Sequence, residues 1–171
     1  MTTSLLREAT PADAAAIARI YTQGIEDRCA TFETRPRTDD DVRAWFATQD
    51  RYPTVVLERE GRIDGWASLS PYRPRACYAG IAEFSIYLAR EVRGQGLGAP
   101  LLAHLIDVAR DRGYSKLVSR IFSSNTASRA LCRRLGFREV GTYEKHGPLD
   151  GRWLDVVIVE RLIPDNLTEH P

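Results

Sequence analysis

Cysteine is scarce in this chain, and its spacing excludes more than it suggests. Only Cys29, Cys77 and Cys132 occur, an odd number with no C-x-x-C pair, so neither a disulfide framework nor zinc is indicated. Histidine is as sparse: His104, His146 and His170 stand apart without a visible partner, and no metal is expected. A dominant charge is missing too. Against 24 Lys and Arg stand 23 Asp and Glu, and a net charge of +1 gives no support to nucleic-acid or membrane binding. No apolar run approaches the ~20 residues of a membrane span, and the N-terminus has no signal-peptide core. A cytoplasmic location is the expectation, and without secretion the glycosylation pattern Asn166-Leu167-Thr168 carries no meaning. Repeats, low-complexity tracts and linkers are absent. The 171 residues predict one domain over 1–163, with a polar, proline-bounded tail at 164–171 that frays.

Within these bounds, strands and helices are legible from pattern. Leu5 and Leu6 begin a short strand, and Thr10-Pro11-Ala12-Asp13 reads as a capped helix start running to about Gly24. Thr38-Asp39-Asp40-Asp41 opens a second helix, with Trp45 and Phe46 on its buried face. Residues 54–60 and 63–70 form a hairpin about Gly61, and 81–88 is a central strand. Helix 97–112, strand 116–121, helix 126–135 and strands near 137–144 and 153–161 follow. Hairpin-connected strands with one βαβ passage argue for an α+β fold with a mixed central sheet.

The richest segment is Arg93-Gly94-Gln95-Gly96-Leu97-Gly98-Ala99, between that central strand and a helix bearing Leu97, Leu101, Leu105 and Val108 on one face. Glycines free the backbone to wrap an anion, and the helix's first N–H groups point at it. Arg93 adds a fixed positive charge. The glycines satisfy the dinucleotide fingerprint, and Ser119-Arg120 on the next strand would suit a 2′-phosphate. However, only about one further βαβ unit fits downstream, too little for a doubly wound nucleotide domain. The other reading is a pyrophosphate loop of the kind that grips coenzyme A.

Arg93-x-x-Gly96-x-Gly98 resembles the signature loop of the GNAT superfamily of N-acetyltransferases. Asn125-Thr126-Ala127-Ser128-Arg129-Ala130-Leu131-Cys132-Arg133-Arg134-Leu135-Gly136-Phe137 is similar to a second block of that family. Tyr21-x-x-x-Ile25, Thr31-Phe32-Glu33, Ala82-Glu83-x-Ser85-Ile86-Tyr87 and Gly151-x-Trp153-x-Asp155-Val156 resemble its phosphinothricin-type branch. The likeness covers roughly residues 4 to 162. It implies a sheet whose central strands splay to admit acetyl-CoA, with helices on both faces, and a homodimer. It also implies a small amino-acid-like substrate: phosphinothricin, methionine sulfoximine or arsinothricin, detoxified by acetylation. Rivals are a protein N-terminal or lysine acetyltransferase and a catalytically silent coenzyme A-binding module.

Residue roles follow from chemistry and resemblance together. Strand 82–88 turns Ala82, Phe84, Ile86 and Leu88 one way and Glu83, Ser85 and Tyr87 the other. Glu83 is the candidate catalytic base, or else a solvated salt-bridge partner. Backbone groups of Ile86, Tyr87 and Leu88 are candidates to polarise the thioester and, by resemblance, to bind the pantetheine arm. The loop from Arg93 through Gly94, Gln95, Gly96, Leu97 and Gly98 to Ala99, together with Asn125 and Ser128, completes the expected cofactor set. Asn125 caps the helix or bonds the cofactor, and the two uses are compatible. Arg73 and Arg75, stiffened by Pro74, suit two substrate oxyanions or else are surface arginines touching nothing. Phe32, Glu33 and Tyr78 complete the substrate candidates. Cys132 stands where relatives carry Tyr or His and reads as packing; Trp153 reads as core, or with Asp155 as pocket wall. Trp45 and the aromatic stretch 66–78 are candidate dimer material or core.

Overall fold

The computed structural model describes residues 3–169. Seven strands form one sheet in the order β1-β2-β3-β4-β5-β7-β6. They are β1 (Ser4–Glu8), β2 (Thr54–Arg59), β3 (Arg62–Pro71), β4 (Ile81–Leu88), β5 (Lys116–Phe122), β6 (Arg138–Leu149) and β7 (Arg152–Leu162). Every neighbouring pair is antiparallel except β4 with β5. Helices α1 (Ala14–Glu26), α2 (Asp39–Arg43), α3 (Gly98–Asp111) and α4 (Thr126–Arg134) complete the fold.

Alternation along the strands builds a core on each face of the sheet. Val55, Leu57, Ala67, Leu69, Ala82 and Phe84 pack beneath α3 with Leu101, Leu102 and Leu105. On the opposite face Val56 and Trp66 meet Ile17 and Ile20 of α1 and Val42 of α2. Both caps form as the sequence predicts. The Thr10 N–H donates to Asp13 Oδ2 at 2.8 Å, and Thr38 and Asp41 exchange bonds at 2.8 and 3.2 Å. Arg7 clamps Asp13 from below at 2.8 and 3.0 Å, tying β1 to the start of the α1 segment.

Four expectations need correction. The second helix stops at Arg43 and continues as a 3-10 turn over Ala44–Thr48, where Trp45 and Phe46 are only half-buried. Strands β6 and β7 run closer together than their patterns suggest, because Asp150 and Gly151 both adopt positive φ in a tight two-residue turn. Trp153 belongs to neither core nor pocket wall: it stands 63% exposed. Fraying does not begin at Pro164. Pro164–Asn166 forms a 3-10 turn, and Asn166 Nδ2 donates to the carbonyls of Arg110 at 2.7 Å and Tyr114 at 2.9 Å. His170 and Pro171 lie outside the described residues.

Candidate active site

The site begins where two strands stop pairing. Strands β4 and β5 share only the pairs Ile81–Lys116, Ala82–Leu117 and Glu83–Val118. The Ser119 hydroxyl adds one last link, donating to the Phe84 carbonyl at 2.9 Å. Beyond it β4 remains bonded to β3 as far as Leu88, whereas β5 turns to β7. Backbone polarity alternates along a strand, so the Phe84 carbonyl marks which residues face the seam. Ile86 and Leu88 present their main-chain groups there, and the Leu88 carbonyl already accepts Arg93 Nε at 3.3 Å.

The glycine loop closes one end of this seam. Gly94 and Gly96 both have φ of 75°, a conformation that costs other residues about 1–2 kcal/mol. A cavity of about 490 Å³ opens between the loop, the end of β4 and α4. Ile86, Tyr87, Leu88, Arg93, Gly94, Gly96, Leu97, Gly98, Ala99, Asn125 and Ser128 all line it. Gln95 does not line this cavity, although sequence reasoning included it with the loop. Gly24, Cys29, Ala30 and Leu131 also line it and escaped that reasoning. Only the i, i+3 and i, i+4 spacing of Ala127, Ala130 and Leu131 along α4 would have signalled a wall there. The dimensions and donor set suit a diphosphate with an elongated, amide-bearing arm.

Arg93 is held by an acid of the chain itself. Its Nη1 donates to Asp27 Oδ2 at 2.5 Å, and Arg90 Nη2 donates to the other oxygen at 2.7 Å. These two guanidinium groups, Arg90 foremost, hold the Asp27 carboxyl below its usual range. Asn125 caps α4, its Oδ1 accepting the Ser128 N–H at 3.2 Å. Its Nδ2 donates to no protein group among the described residues.

A smaller space of about 60 Å³ continues the cavity between the splayed strands, sharing Ile86, Asn125, Ser128 and Leu131 with it. Ser85, Ser119, Arg120 and Cys132 are among its other walls. Cys132 is 2% exposed, and burial pushes its thiol up to about 12, so it stays protonated at neutral pH. Glu83 stands on the last paired rung, its carboxylate accepting Arg120 Nη2 at 3.1 Å. Arg120 is the polar neighbour that sequence reasoning did not place here.

The substrate candidates lie elsewhere. Phe32 meets Phe122 edge-on at 4.7 Å, and Glu33 is bonded to Arg37 at 2.7 Å. Tyr78 meets Tyr72 edge-on at 5.7 Å, Arg73 rests over the Tyr72 ring at 5.4 Å, and Arg75 is exposed. None of these five lines either cavity. Another cleft, of about 510 Å³, lies near the start of α1, and its arginines are already matched by carboxylates.

Comparison with known proteins agrees with this architecture. Residues 4–138 match the acetyltransferase (GNAT) domain family. An L-methionine sulfoximine/L-methionine sulfone acetyltransferase of Pseudomonas aeruginosa is 37% identical, covering 91% of this chain and 92% of its own. A phosphinothricin acetyltransferase of Sinorhizobium meliloti, solved with acetyl-CoA, superposes with a TM-score of 0.90 at 34% identity, covering 99% and 93%. A structure described as ribosomal-protein-alanine N-acetyltransferase of Brucella melitensis gives 0.89 at 37%, covering 93% and 99%. With the glycine loop, the splayed strands and these matches in agreement, the chain belongs to the GNAT acetyltransferase family.

Proposed function

We propose that this protein transfers the acetyl group of acetyl-CoA to the α-amine of a small amino-acid-like molecule. One observation carries the reading: a carboxylate, Glu83, stands where β4 and β5 part, bonded to Arg120, which walls the small space continuing the glycine-loop cavity. Loop N–H groups from Gly94 to Ala99 and the Arg93 guanidinium suit the pyrophosphate. The Ile86 main chain suits the pantetheine amides. When bound, acetyl-CoA would supply an acyl thioester: its carbonyl carbon would bond to the amine nitrogen as the C–S bond breaks, and the departing thiolate would take a proton from water. Glu83 takes the proton that the amine loses, directly or through a water. Holding amine and thioester in register supplies most of the acceleration, because effective concentrations of aligned groups reach about 10⁵–10⁸ M.

The relatives narrow the amine. Methionine sulfoximine, methionine sulfone and phosphinothricin each combine an α-amino acid with a second oxygen-rich group, and arsinothricin shares that form. Arg73 and Arg75 remain candidates for the second group, and detoxification is the role that such substrates imply. The Brucella neighbour favours a second reading, a protein N-terminal alanine, which presents the same α-amine without a free carboxylate. We extend the proposal to a homodimer.

Thiol release from acetyl-CoA, measured against a panel of amino-acid analogues and an alanine-led peptide, tests the reading. Turnover of the analogues above the peptide is expected; preference for the peptide would reverse the order, and no turnover at all would leave a binding module. Acetyl-CoA at a hundredfold excess over its Kd adds about 2.7 kcal/mol of stability by mass action, which NADPH should not reproduce.

A further inference from the structure

We infer that Arg120 anchors the α-carboxylate of the substrate, so that the enzyme selects free α-amino acids over amines lacking a neighbouring carboxylate. The inference rests on the proposed amino-acid acetylation and specifies which side chain reads the acid. Arg120 lies on β5 two residues beyond Val118, the parallel partner of Glu83, and so projects from the same face of the sheet as Glu83. Its Nη2 is 3.1 Å from Glu83 Oε2. Its Nε and Nη1 donate to no protein group among the described residues, and its side chain is 55% exposed. One arm of the guanidinium thus touches the proposed base, and the other edge faces solvent at the mouth of the seam. Arg120 also walls the small space leading from the cofactor cavity.

Covalent geometry makes this placement specific. In an α-amino acid the carboxylate oxygens lie within about 4 Å of the amine nitrogen. An amine delivered to Glu83 therefore brings its carboxylate to a cation immediately beside Glu83. Arg120 is the cation in contact with Glu83 in the structure, and the second N–H of its Nη2, together with an unpartnered N–H of Nε or Nη1, forms the two-pronged edge that binds carboxylates bidentately. Arg73 and Arg75 touch neither Glu83 nor the two cavities, which leaves them for a more distant group. A guanidinium with no third partner would compete with the amine for the lone pairs of Glu83. A substrate carboxylate gives Arg120 somewhere else to bond.

The decisive comparison uses L-methionine sulfone and phosphinothricin, each as free acid and as α-carboxamide, with wild type, Arg120→Ala and Arg120→Lys. Wild type should favour the acid in kcat/KM by about ten- to a hundredfold. Arg120→Ala should reduce that preference to near unity by raising KM for the acid, leaving KM for acetyl-CoA unchanged. Arg120→Lys should restore part of it. Calorimetric titration of the free acid should show the same loss of affinity without reference to turnover. An equal fall in kcat for acid and amide, with the preference retained, would overturn the inference and leave Arg120 positioning Glu83. A wild type indifferent to the carboxylate would overturn it as well. Failure of every free amino acid, alongside turnover of an alanine-led peptide, would instead remove the reading beneath it. Retained acetyl-CoA affinity in each variant separates these outcomes from misfolding.

Discussion

Glu83 and Arg120 meet across 37 residues of sequence, and their pairing shows what a linear reading can and cannot recover. Glu83 was legible because it sits on the polar phase of an alternating strand that runs into a glycine loop. Its partner was not, because the register of a parallel crossover pair depends on how α3 packs, which no local pattern encodes. The Arg93–Asp27 bond is hidden in the same way, joining positions 66 residues apart. Trp153 misled for a different reason: residue type favours burial, but the outer end of a hairpin offers nothing to bury against. At this scale the expected outcome of Glu83→Gln is a fall in kcat of about 10²- to 10⁴-fold with acetyl-CoA affinity nearly intact. An α-amine titrates at about 8 in a peptide and higher beside a free carboxylate, so at lower pH it arrives protonated and needs the base, and above its own pKa the need fades. The defect in a pH profile should therefore be deepest at low pH and shrink as pH rises. Wild-type rates across the profile would remove Glu83 from the chemistry.

Among the elements, the strand–loop–helix unit of β4 and α3 was the most readable, because local chemistry dictates it. Alternation fixes the strand, positive-φ glycines fix the loop, and the apolar stripe of Leu101, Leu102 and Leu105 fixes the helix. Both capping boxes were readable for the same reason. The β6–β7 hairpin was underestimated because its register shifts between Tyr143 and Gly147, where Lys145 takes a φ of 45° and donates its N–H to Asp155 Oδ1 at 2.7 Å. A bulge of that kind breaks the two-residue period on which strand reading relies. The contact of α1 with β4 depends on one small residue. A Cβ at Gly24 would lie 2.5 Å from Tyr87 Cδ1, and that ring is fixed by stacking on Trp66 at 5.0 Å. Gly24→Ala gains helix propensity of about 1 kcal/mol and loses 1–3 kcal/mol to overpacking. We expect a net destabilisation of up to about 2 kcal/mol in urea unfolding and weaker acetyl-CoA binding, since Gly24 and Tyr87 both line the cavity. Unchanged stability would show that Tyr87 has room to move.

Over the whole molecule, the sheet separates a helix pair on each face and leaves β6 at one edge. Of the interface material the sequence offered, Trp66 is 1% exposed and Trp45 packs against it at 5.3 Å, whereas Tyr72 and Tyr78 are half-buried against each other. Besides Leu5 and Leu167, the large apolar side chains exposed among the described residues lie on the β6–β7 hairpin, at Val140, Tyr143, Trp153 and Leu162. An unpaired edge strand carrying such side chains is suited to burial against another copy. Light scattering should therefore return the mass of a homodimer, and Trp153→Lys should shift it toward the monomer. A wild-type monomer at micromolar concentration would end this expectation.

The carboxylate of Asp27 gives the cofactor loop a property that neither its glycines nor its arginine would supply alone. An incoming anion must share Arg93 with Asp27 or displace it, and Arg90 keeps Asp27 in place from its other side. A lone chloride or sulfate gains little from that exchange, because it swaps one counterion for another in water. Under the proposed reading, a ligand with two linked phosphates would reach the guanidinium and the loop N–H groups together, and its long arm would occupy the seam besides. On that reading the built-in counterion would act as a filter on valence and shape, weakening the hold of background electrolyte on the loop more than that of the diphosphate.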